Sequence, residues 1–269
     1  MDEKLIKEIK NRVGYIWINR PDKKNALDLD IWFGLPKAIK EFNESEEVNC
    51  IVIAGKGDSF SSGIDITTFM TNFEINEDLT SNTKERKKLM DSIKKMQDAF
   101  TEFSKSEVPV IALAHGYCLG GATNLISACD IRLSTKDAKF SIGESKLGLV
   151  ADVGILQRMP KIVSKGDVRE LAFTGKIFDG IHAEKIRFVN STYESKEDLF
   201  KAGQLLAEEI SQNSTSVTKG VKQVLDKGED LTTEQALEYV RLWNTSFLIS
   251  DDLKEGVLAF LEKRDPKFN

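Results

Sequence analysis

A glycine-rich turn within the stretch Leu113–Pro160 constrains this chain more than any other feature. A buried strand precedes the turn Gly116–Gly121, and the pattern after it predicts a helix that ends at Asp130. Glycines at the start of a helix leave backbone N–H groups unpaired at the positive end of its dipole. Such a turn can stabilise an oxygen that gains negative charge, and the carboxylates that follow, Glu144 and Asp152, suit proton transfer.

The sequence around the two carboxylates contains mainly small and apolar residues. Apolar surroundings raise the pKa of a carboxyl group towards values that are useful in catalysis. Most Asp and Glu side chains simply face solvent, so a structural role is the alternative. We favour the functional role, and the neighbours in question are Ser141, Ile142, Gly143, Gly148, Leu149, Val150, Ala151, Val153 and Gly154.

Charge and motif content exclude several classes of site. The 43 acidic and 38 basic residues give a net charge of −5, which argues against binding to nucleic acid. Only two histidines are present, His115 and His182, and neither has a serine-elbow motif beside it. The sequence lacks HExxH and CxxC motifs, and GYCLGG is neither a P-loop nor GxGxxG. We therefore expect no metal site and no phosphate-binding loop of these types.

Cysteine usage and the terminal segments favour a cytoplasmic protein. Three cysteines without metal-like spacing fit free thiols in a reducing compartment. The segment MDEKLIKEIK does not resemble a secretory or mitochondrial signal, and the ending DPKFN is not a peroxisomal address. No apolar run approaches the roughly 20 residues that span a bilayer, so we expect no membrane partner.

The order of predicted elements indicates a strand-rich front half and a helical back half. No composition break divides the chain. We expect an α/β core over residues 1–200 and a helical C-terminal region over residues 201–269. The predicted strands are Val13–Asn19, Cys50–Ala54 and Val108–Ala114, and the predicted helices are one capped by Asp28 and those at 83–106, 164–173, 196–213, 233–247 and 252–263.

Two predicted segments bear on ligand binding. The loop Gly55–Ile66 consists of small residues and is long enough to line a ligand, although a flexible surface connection would have the same composition. The helix 83–106 is expected to begin with a capping box formed by Asn82 and Glu85. Its apolar stripe is expected to be core, and its members are Leu89, Ile93, Met96, Phe100 and Phe103.

From about Val13 to Phe268 the chain resembles the crotonase superfamily, also called the enoyl-CoA hydratase/isomerase family. Four motifs carry this resemblance, and their order and spacing make it specific. They are Asn19-Arg20-Pro21 with Asn25-Ala26-Leu27, then Phe60–Ile66, His115–Gly121 and Glu255–Arg264. Within the superfamily, the segments Ile126–Arg132 and Val150–Arg158 look like the Δ3,5-Δ2,4-dienoyl-CoA isomerase branch, which uses the Glu144 and Asp152 pair.

The resemblance implies a crotonase-like spiral of repeated ββα units with a helical C-terminal extension. It further implies a homotrimer or homohexamer, with residues 201–269 as the trimerisation region. The implied ligand is an acyl-CoA thioester that serves as substrate, without a metal or redox cofactor.

Site residues follow from the resemblance position by position. The N–H groups of Ile64 and Gly121 match the oxyanion hole of the family. Phe260 and Lys263 fall where relatives reach towards CoA, with core packing or solvation as alternatives. The positions that match CoA-binding segments are Lys24, Ala26, Ser62, Gly63, Ile64, Asp65, Ile66 and Gly121.

The implied reaction moves a pair of double bonds, and one residue departs from the family pattern. We expect Glu144 to remove the C2 proton and Asp152 to deliver one at C6. Position 124 is Asn124, where hydratases carry a glutamate and dienoyl isomerases an aspartate. Asn124 cannot act as a base, which disfavours hydration, but it can orient Glu144 by a hydrogen bond. We expect a more acidic Glu144 than in relatives, because like-charge repulsion is absent.

Other functions stay open at this point. A hydratase with residual activity and a Δ3-Δ2 enoyl-CoA isomerase belong to the same superfamily. A non-catalytic acyl-CoA-binding or RNA-associated relative would keep the fold without the chemistry. The carboxylate pair and both oxyanion loops argue against lost catalysis, and the acidic net charge argues against RNA.

Overall fold

Two β-sheets organise the fold in the computed structural model, which describes residues 3–67 and 83–268. One sheet has the strand order β1-β2-β3-β4-β6-β9 and the other has the order β5-β7-β8. The strands are β1 (Leu5–Lys10), β2 (Val13–Ile18), β3 (Cys50–Gly55), β4 (Val110–Ala114), β5 (Tyr117–Leu119), β6 (Ile131–Thr135), β7 (Lys139–Ser141), β8 (Phe178–Asp179) and β9 (Ser191–Tyr193).

Helices cover both faces of the larger sheet and form the end of the chain. The segments predicted as helices from the sequence are helical, and their ends differ by no more than two residues except in the helix that follows the glycine-rich turn. In the described ranges the α-helices are α1 (Leu29–Glu44), α2 (Thr83–Ser104), α3 (Gly121–Ile126), α4 (Ile155–Ile162), α5 (Lys165–Thr174), α6 (Gly180–Lys185), α7 (Lys196–Ser211), α8 (Thr215–Gly228), α9 (Thr233–Phe247) and α10 (Asp251–Glu262).

The predicted buried strands are confirmed, and an additional edge strand extends the sheet. Every residue of β3 and β4 is buried, as expected for parallel strands covered on both faces. β1 was not predicted, because its sequence LIKEIK is mostly exposed and charged. It pairs antiparallel with β2 at the edge of the sheet, where charged side chains are tolerated.

The ββα repeat is visible where the chain passes from one sheet to the other. β4 belongs to the large sheet, β5 to the small one, and α3 follows. β6 and β7 repeat the step, and a 3₁₀ turn at Glu144–Leu147 follows. Each unit therefore ends in a turn or helix beside the small sheet. α3 and the 3₁₀ turn are in contact there, through Asn124 and Glu144.

The glycine-rich segment differs from its predicted form in two respects. Tyr117–Leu119, inside the predicted turn, is a strand, because long-range pairing with β7 overrides the local turn signal. The helix that follows ends at Ile126 rather than Asp130. Asp130 instead pairs with the start of β4, since its N–H donates to Val110 O and its carboxylate accepts from Val110 N at 2.7 Å.

The apolar stripe of α2 is core only in its C-terminal half. Met96, Phe100 and Phe103 are buried, but Leu89 is 44% exposed because the first turns of the helix extend beyond the core. Asn82, expected to begin a capping box, lies outside the described residues. The cap predicted for α1 is confirmed, since the Asp28 carboxylate accepts from Ile31 N at 3.0 Å.

The last three helices are joined to the rest of the chain by few buried side chains. A groove of about 1690 Å³ lies between α8–α10 and the core. Several ion pairs cross between these parts. They include one from the buried Lys222 Nζ to Asp130 Oδ2 at 2.6 Å and a more exposed one from Lys219 Nζ to Glu107 Oε2 at 2.8 Å. The domain boundary placed at residues 200/201 stays a prediction, and these residues lie within α7, which packs on the large sheet.

Candidate active site

Two backbone N–H groups from separate loops lie close together. Gly63 has φ of +92°, and a Cβ there would lie only 2.5 Å from Leu119 O. A Cβ on Gly121 would lie 3.5 Å from Ile64 N. Because Gly63 and Gly121 have no side chains, their loops can approach closely enough for the Ile64 and Gly121 N–H groups to lie near each other. Neither donates a hydrogen bond to an acceptor within the described residues. Two free donors so placed can bind one oxygen that gains negative charge.

Long-range backbone pairing holds these loops in place. Ser61 forms an isolated bridge with Cys118, and Gly120 N donates to Ser141 O at 3.1 Å. The loop Gly55–Ile66 is thus fixed against β5, and the alternative of a flexible connection is wrong for Phe60 and Ser61, which are buried. α3 has only six residues and therefore a small dipole. The two N–H groups should contribute more than this dipole to the binding of a negatively charged oxygen.

The segments expected to bind CoA lie beside the N–H pair. Lys24 O accepts from Ser62 N at 2.9 Å, and Leu27 N donates to Gly63 O at 2.8 Å. Arg20 pairs with the Asp65 carboxylate at 2.6 Å and also donates to the carbonyl oxygen of the residue before Leu27. Ala26 and the Ser62–Ile66 segment are therefore held next to each other. Their role in CoA binding stays a prediction.

In the part of the chain that the structure describes, no hydrogen bond or ion pair joins Phe260 or Lys263 to those segments. Phe260 is 83% exposed on α10 and lines the groove below the C-terminal helices. Lys263 is the left-handed residue that ends α10. Among the described residues, the lining of this groove includes neither Lys24 nor the Ser62–Ile66 segment. Contact of Phe260 and Lys263 with CoA stays a prediction.

Glu144 begins the 3₁₀ turn and directs one free oxygen into a buried space. Its Oε1 accepts from Asn124 Nδ2 at 2.9 Å, whereas Oε2 is buried and has no partner in the described residues. Burial raises the pKa of Glu144, the hydrogen bonds from its own N–H and from Asn124 lower it, and the charge of Asp152 raises it further. The raised pKa favours proton transfer by this carboxyl group.

Asn124 is fully buried, and its three hydrogen bonds fix which way its amide points. Oδ1 accepts from Ile155 N at 2.8 Å, while Nδ2 donates to Gly120 O at 3.0 Å as well as to Glu144. The amide therefore presents a donor, not an acceptor, to Glu144. The hydrogen bond expected from the sequence is present, and it favours the ionised carboxylate.

Asp152 lies in the loop before α4 and is half-buried. Burial raises its pKa, with partial compensation by its own backbone N–H. Its neighbours Ala151 and Val153 are buried, but Val150 is 76% exposed. Of the apolar residues next to Asp152 in the sequence, two are therefore buried and one faces solvent.

Sequence reasoning did not identify the side chains that hold the Asp152 loop. Gln97 Nε2 donates to Asp152 O at 2.7 Å, and Arg158 Nη1 donates to Val153 O at 3.1 Å. Gln97 lies on α2, 55 positions away in the sequence. No local motif marks such a contact, so only the three-dimensional structure reveals it.

The remaining titratable groups show no metal-like arrangement. Within the described residues, no group of three or more His, Cys, Asp or Glu side chains could hold a metal ion. The three thiols are buried, and burial raises the pKa values of Cys50 and Cys129 to about 12. Burial also lowers the pKa of His115, whose Nε2 contacts Gly57 O at 3.0 Å.

The family model described as enoyl-CoA hydratase/isomerase matches residues 8–269. The chain belongs to the enoyl-CoA hydratase/isomerase family. The resemblance inferred from the sequence motifs is therefore confirmed. An enoyl-CoA hydratase from Bacillus anthracis has the same fold, with a TM-score of 0.89, 23% identity and coverage of 99% of both chains. The expected α/β crotonase-like fold is confirmed as well.

Two relatives share the proposed branch of the enoyl-CoA hydratase/isomerase family. The peroxisomal Δ3,5-Δ2,4-dienoyl-CoA isomerase of Arabidopsis thaliana is 39% identical, over 99% of this chain and 96% of the relative. The mitochondrial enzyme of the same name from Dictyostelium discoideum is 37% identical, over 93% of this chain and 85% of the relative. The expected likeness to the dienoyl-CoA isomerase branch is thus confirmed.

The helices of this family member do not have the properties of a membrane span in the part of the chain that the structure describes. In residues 3–67 and 83–268, none combines the length and the apolar character that a bilayer crossing requires.

Proposed function

We propose that this chain is an isomerase that converts 3,5-dienoyl-CoA thioesters into 2,4-dienoyl-CoA thioesters. The observation that carries the proposal is the presence in one site of two carboxyl groups with raised pKa values, Glu144 and Asp152. The two free N–H groups of Ile64 and Gly121 lie in the same site. The names of the relatives support the substrate class.

The reaction needs a base near C2 and an acid near C6. Glu144 Oε2 takes the C2 proton, the C2–H bond breaks, and its electron pair spreads over the thioester oxygen and carbons C2, C4 and C6. Asp152 then donates its proton to C6, where a C–H bond forms. The double bonds at C3 and C5 become double bonds at C2 and C4, and proton exchange with water restores both carboxyl groups.

The N–H groups of Ile64 and Gly121 bind the thioester carbonyl oxygen as it gains charge. Loss of one such donor typically slows catalysis about a hundred- to a thousandfold. Gly63→Ala tests this role, because a Cβ would press against Leu119 O and displace the Ile64 N–H. We expect kcat to fall by about this factor. Gly228→Ala is the control, since its nearest neighbour lies 3.8 Å away, and equal rates for the two variants would contradict the role.

Asn124 separates this proposal from hydration of a 2-enoyl-CoA. A hydratase needs a second carboxylate to activate water, and Asn124 has no basic oxygen. Its amide oxygen is already engaged by Ile155 N–H. Position 124 therefore does not supply a second carboxylate that could hold a water molecule together with Glu144.

The test is a spectrophotometric assay with the purified protein. A 3,5-dienoyl-CoA is added, and absorbance of the conjugated 2,4-dienoyl product is followed. The same preparation is tested for addition of water to a 2-enoyl-CoA. Isomerisation without hydration is the expected result. Hydration without isomerisation would contradict the proposal and assign a structural role to Asp152.

The proposal includes an acyl-CoA ligand, no dissociable cofactor and a homotrimer or homohexamer. Exposed apolar side chains on the C-terminal helices support association through residues 201–269, and light scattering of the purified chain tests it. The side chains are Val217, Val221, Leu225, Leu237, Leu242, Phe247, Leu253, Val257, Phe260 and Leu261.

A cytoplasmic location is the remaining part of the proposal. Three free cysteines support a reducing compartment. The relatives carry peroxisomal and mitochondrial designations in their names, which makes an organelle the alternative. Cell fractionation with antibodies against this chain distinguishes the two.

A further inference from the structure

The backbone on the C-terminal side of Asp152 is held at three consecutive peptide groups. Gln97 Nε2 donates to Asp152 O at 2.7 Å, and Arg158 Nη1 donates to Val153 O at 3.1 Å. The next peptide group donates through Ile155 N to Asn124 Oδ1 at 2.8 Å. Each contact comes from a different side chain, so the loop cannot rotate at one peptide without losing a hydrogen bond.

Two of these donors are themselves connected through α2. Arg158 Nη2 donates to Thr101 Oγ1 at 3.0 Å, and Thr101 Oγ1 donates to Gln97 O at 2.8 Å. Gly154 has φ of +112°, and a Cβ there would overlap the Arg158 guanidinium group. Because Gly154 has no side chain, the Arg158 guanidinium group has room to bond both the Asp152 loop, at Val153 O, and α2, at Thr101 Oγ1.

The Asp152 carboxylate itself lacks such support. No other side chain in the described residues donates a hydrogen bond to it, in contrast to Glu144, which receives one from Asn124. The Asp152 side chain can therefore turn, and the position from which it does so depends on its backbone. A residue that fixes this backbone fixes the place from which the proton is delivered.

We propose that Gln97 is a positioning residue for Asp152, acting with Arg158 and Thr101 through the backbone of the loop. This inference rests on the proposed isomerisation and adds to it a set of residues that do not contact the reacting atoms. The set controls delivery of the proton at C6 and leaves removal of the proton at C2 to Glu144. Geometric errors of about 1 Å in such a group can cost up to a hundredfold in rate.

The two half-reactions can be measured separately. In D2O, return of a deuteron from Glu144 to C2 labels unreacted 3,5-dienoyl-CoA, and mass spectrometry detects the label. Delivery at C6 forms the 2,4-dienoyl product, which absorbance detects. The ratio of labelled substrate to product therefore reports on Asp152 and its supports. A purely structural role for Gln97 would change stability, or both rates together, but not this ratio.

Gln97→Met removes the donor while keeping the length of the side chain. Loss of one neutral hydrogen bond predicts isomerisation about three- to tenfold slower, with C2 labelling within about twofold of wild type. Gln157→Met is the matched control, because Gln157 is exposed on α4, next to Arg158 in sequence. Thr101→Val is a second variant if Gln97→Met does not fold, and it should shift the ratio in the same direction.

The outcomes separate this inference from the proposed function. Absence of isomerisation by the wild-type chain overturns both. A second outcome overturns this inference alone. In it, the wild-type chain is active and Asp152→Asn changes the ratio of labelled substrate to product, but Gln97→Met and Thr101→Val keep the wild-type ratio. An increased ratio in Gln97→Met that is absent from Gln157→Met supports it.

Discussion

Glu144 and Asp152 are the two half-buried carboxyl groups of the site, and they are held in different ways. Glu144 is held at its carboxylate, where Asn124 donates to Oε1 at 2.9 Å. Asp152 is held only at its backbone, where Gln97 donates to the carbonyl oxygen at 2.7 Å. Glu144 thus has a fixed orientation and a direct donor that offsets part of the rise in its pKa caused by burial, whereas the Asp152 carboxylate can turn on a fixed backbone.

This difference fits the two tasks of the proposed reaction. In that reaction the C2 carbon is next to the thioester carbonyl that we propose the Ile64 and Gly121 N–H groups bind. The base that acts on C2 therefore needs only one position. The C6 carbon lies four bonds further along a conjugated chain, and an acid that can turn is able to follow it. The comparison predicts that the two carboxyl groups fail differently when they are changed.

The largest effect is expected when each carboxyl group is replaced by its amide. Acid–base groups contribute typically about a hundred- to ten-thousandfold to rates. Glu144→Gln should lose that factor in both C2 labelling and isomerisation. Asp152→Asn should lose it in isomerisation only, because the base remains intact. Near-wild-type turnover by either variant would rule out the two-carboxylate mechanism.

The sequence predicted the fold and the site to different depths. The buried runs of β3 and β4, the helix cap Asp28 and the two glycine-containing loops could be predicted because they are local patterns. The strand at Tyr117–Leu119 could not be predicted in this way, because it forms by pairing with β7, which lies twenty or more residues away in the sequence. The support of Asp152 by Gln97 has the same origin, since a contact between distant segments leaves no mark in either segment alone.

The next largest effect concerns the hydrogen bond that Asn124 donates to the Glu144 carboxylate. In Asn124→Asp, an ionised carboxylate replaces the amide donor, so the pKa of Glu144 should rise above its value in the wild-type chain. A base acts only when it is deprotonated. The acid limb of the pH–rate profile should therefore move to higher pH, with little change at alkaline pH.

The measurement is kcat/KM for a 3,5-dienoyl-CoA as a function of pH. Asp152→Asn provides the comparison, since it keeps Asn124 and its contact with Glu144. This variant removes the Asp152 charge that raises the pKa of Glu144, so the acid limb of its C2 labelling should move to lower pH, opposite to that of Asn124→Asp. An identical acid limb in Asn124→Asp and the wild-type chain would show that residue 124 does not set the proton affinity of Glu144.

The smallest effect concerns stability. Burial raises the pKa of Glu144 in the folded chain, so the folded state binds this proton more tightly than the unfolded state does. The stabilisation from that proton is complete below the unfolded pKa and is lost as pH rises through the folded pKa. Glu144→Gln removes the charged form and can still accept from Asn124. Its Tm should therefore exceed that of the wild-type chain by a few degrees, on the order of 2–4 °C, at neutral pH.

The same comparison at about pH 4, where an ordinary glutamate is largely protonated, should show a much smaller difference in Tm. Asp152→Asn should behave in the same direction, because burial raises that pKa too. Both carboxylates receive a hydrogen bond from their own backbone N–H, but Glu144 alone also has a side-chain donor in the described residues. The difference between the two gains in Tm therefore reports how far the Asn124 hydrogen bond offsets the cost of burying the charge. Equal Tm values for Glu144→Gln and the wild-type chain at neutral pH would contradict this prediction, because they would mean that the Asn124 hydrogen bond offsets the cost of burial entirely. The two carboxyl groups would then differ in their orientation alone.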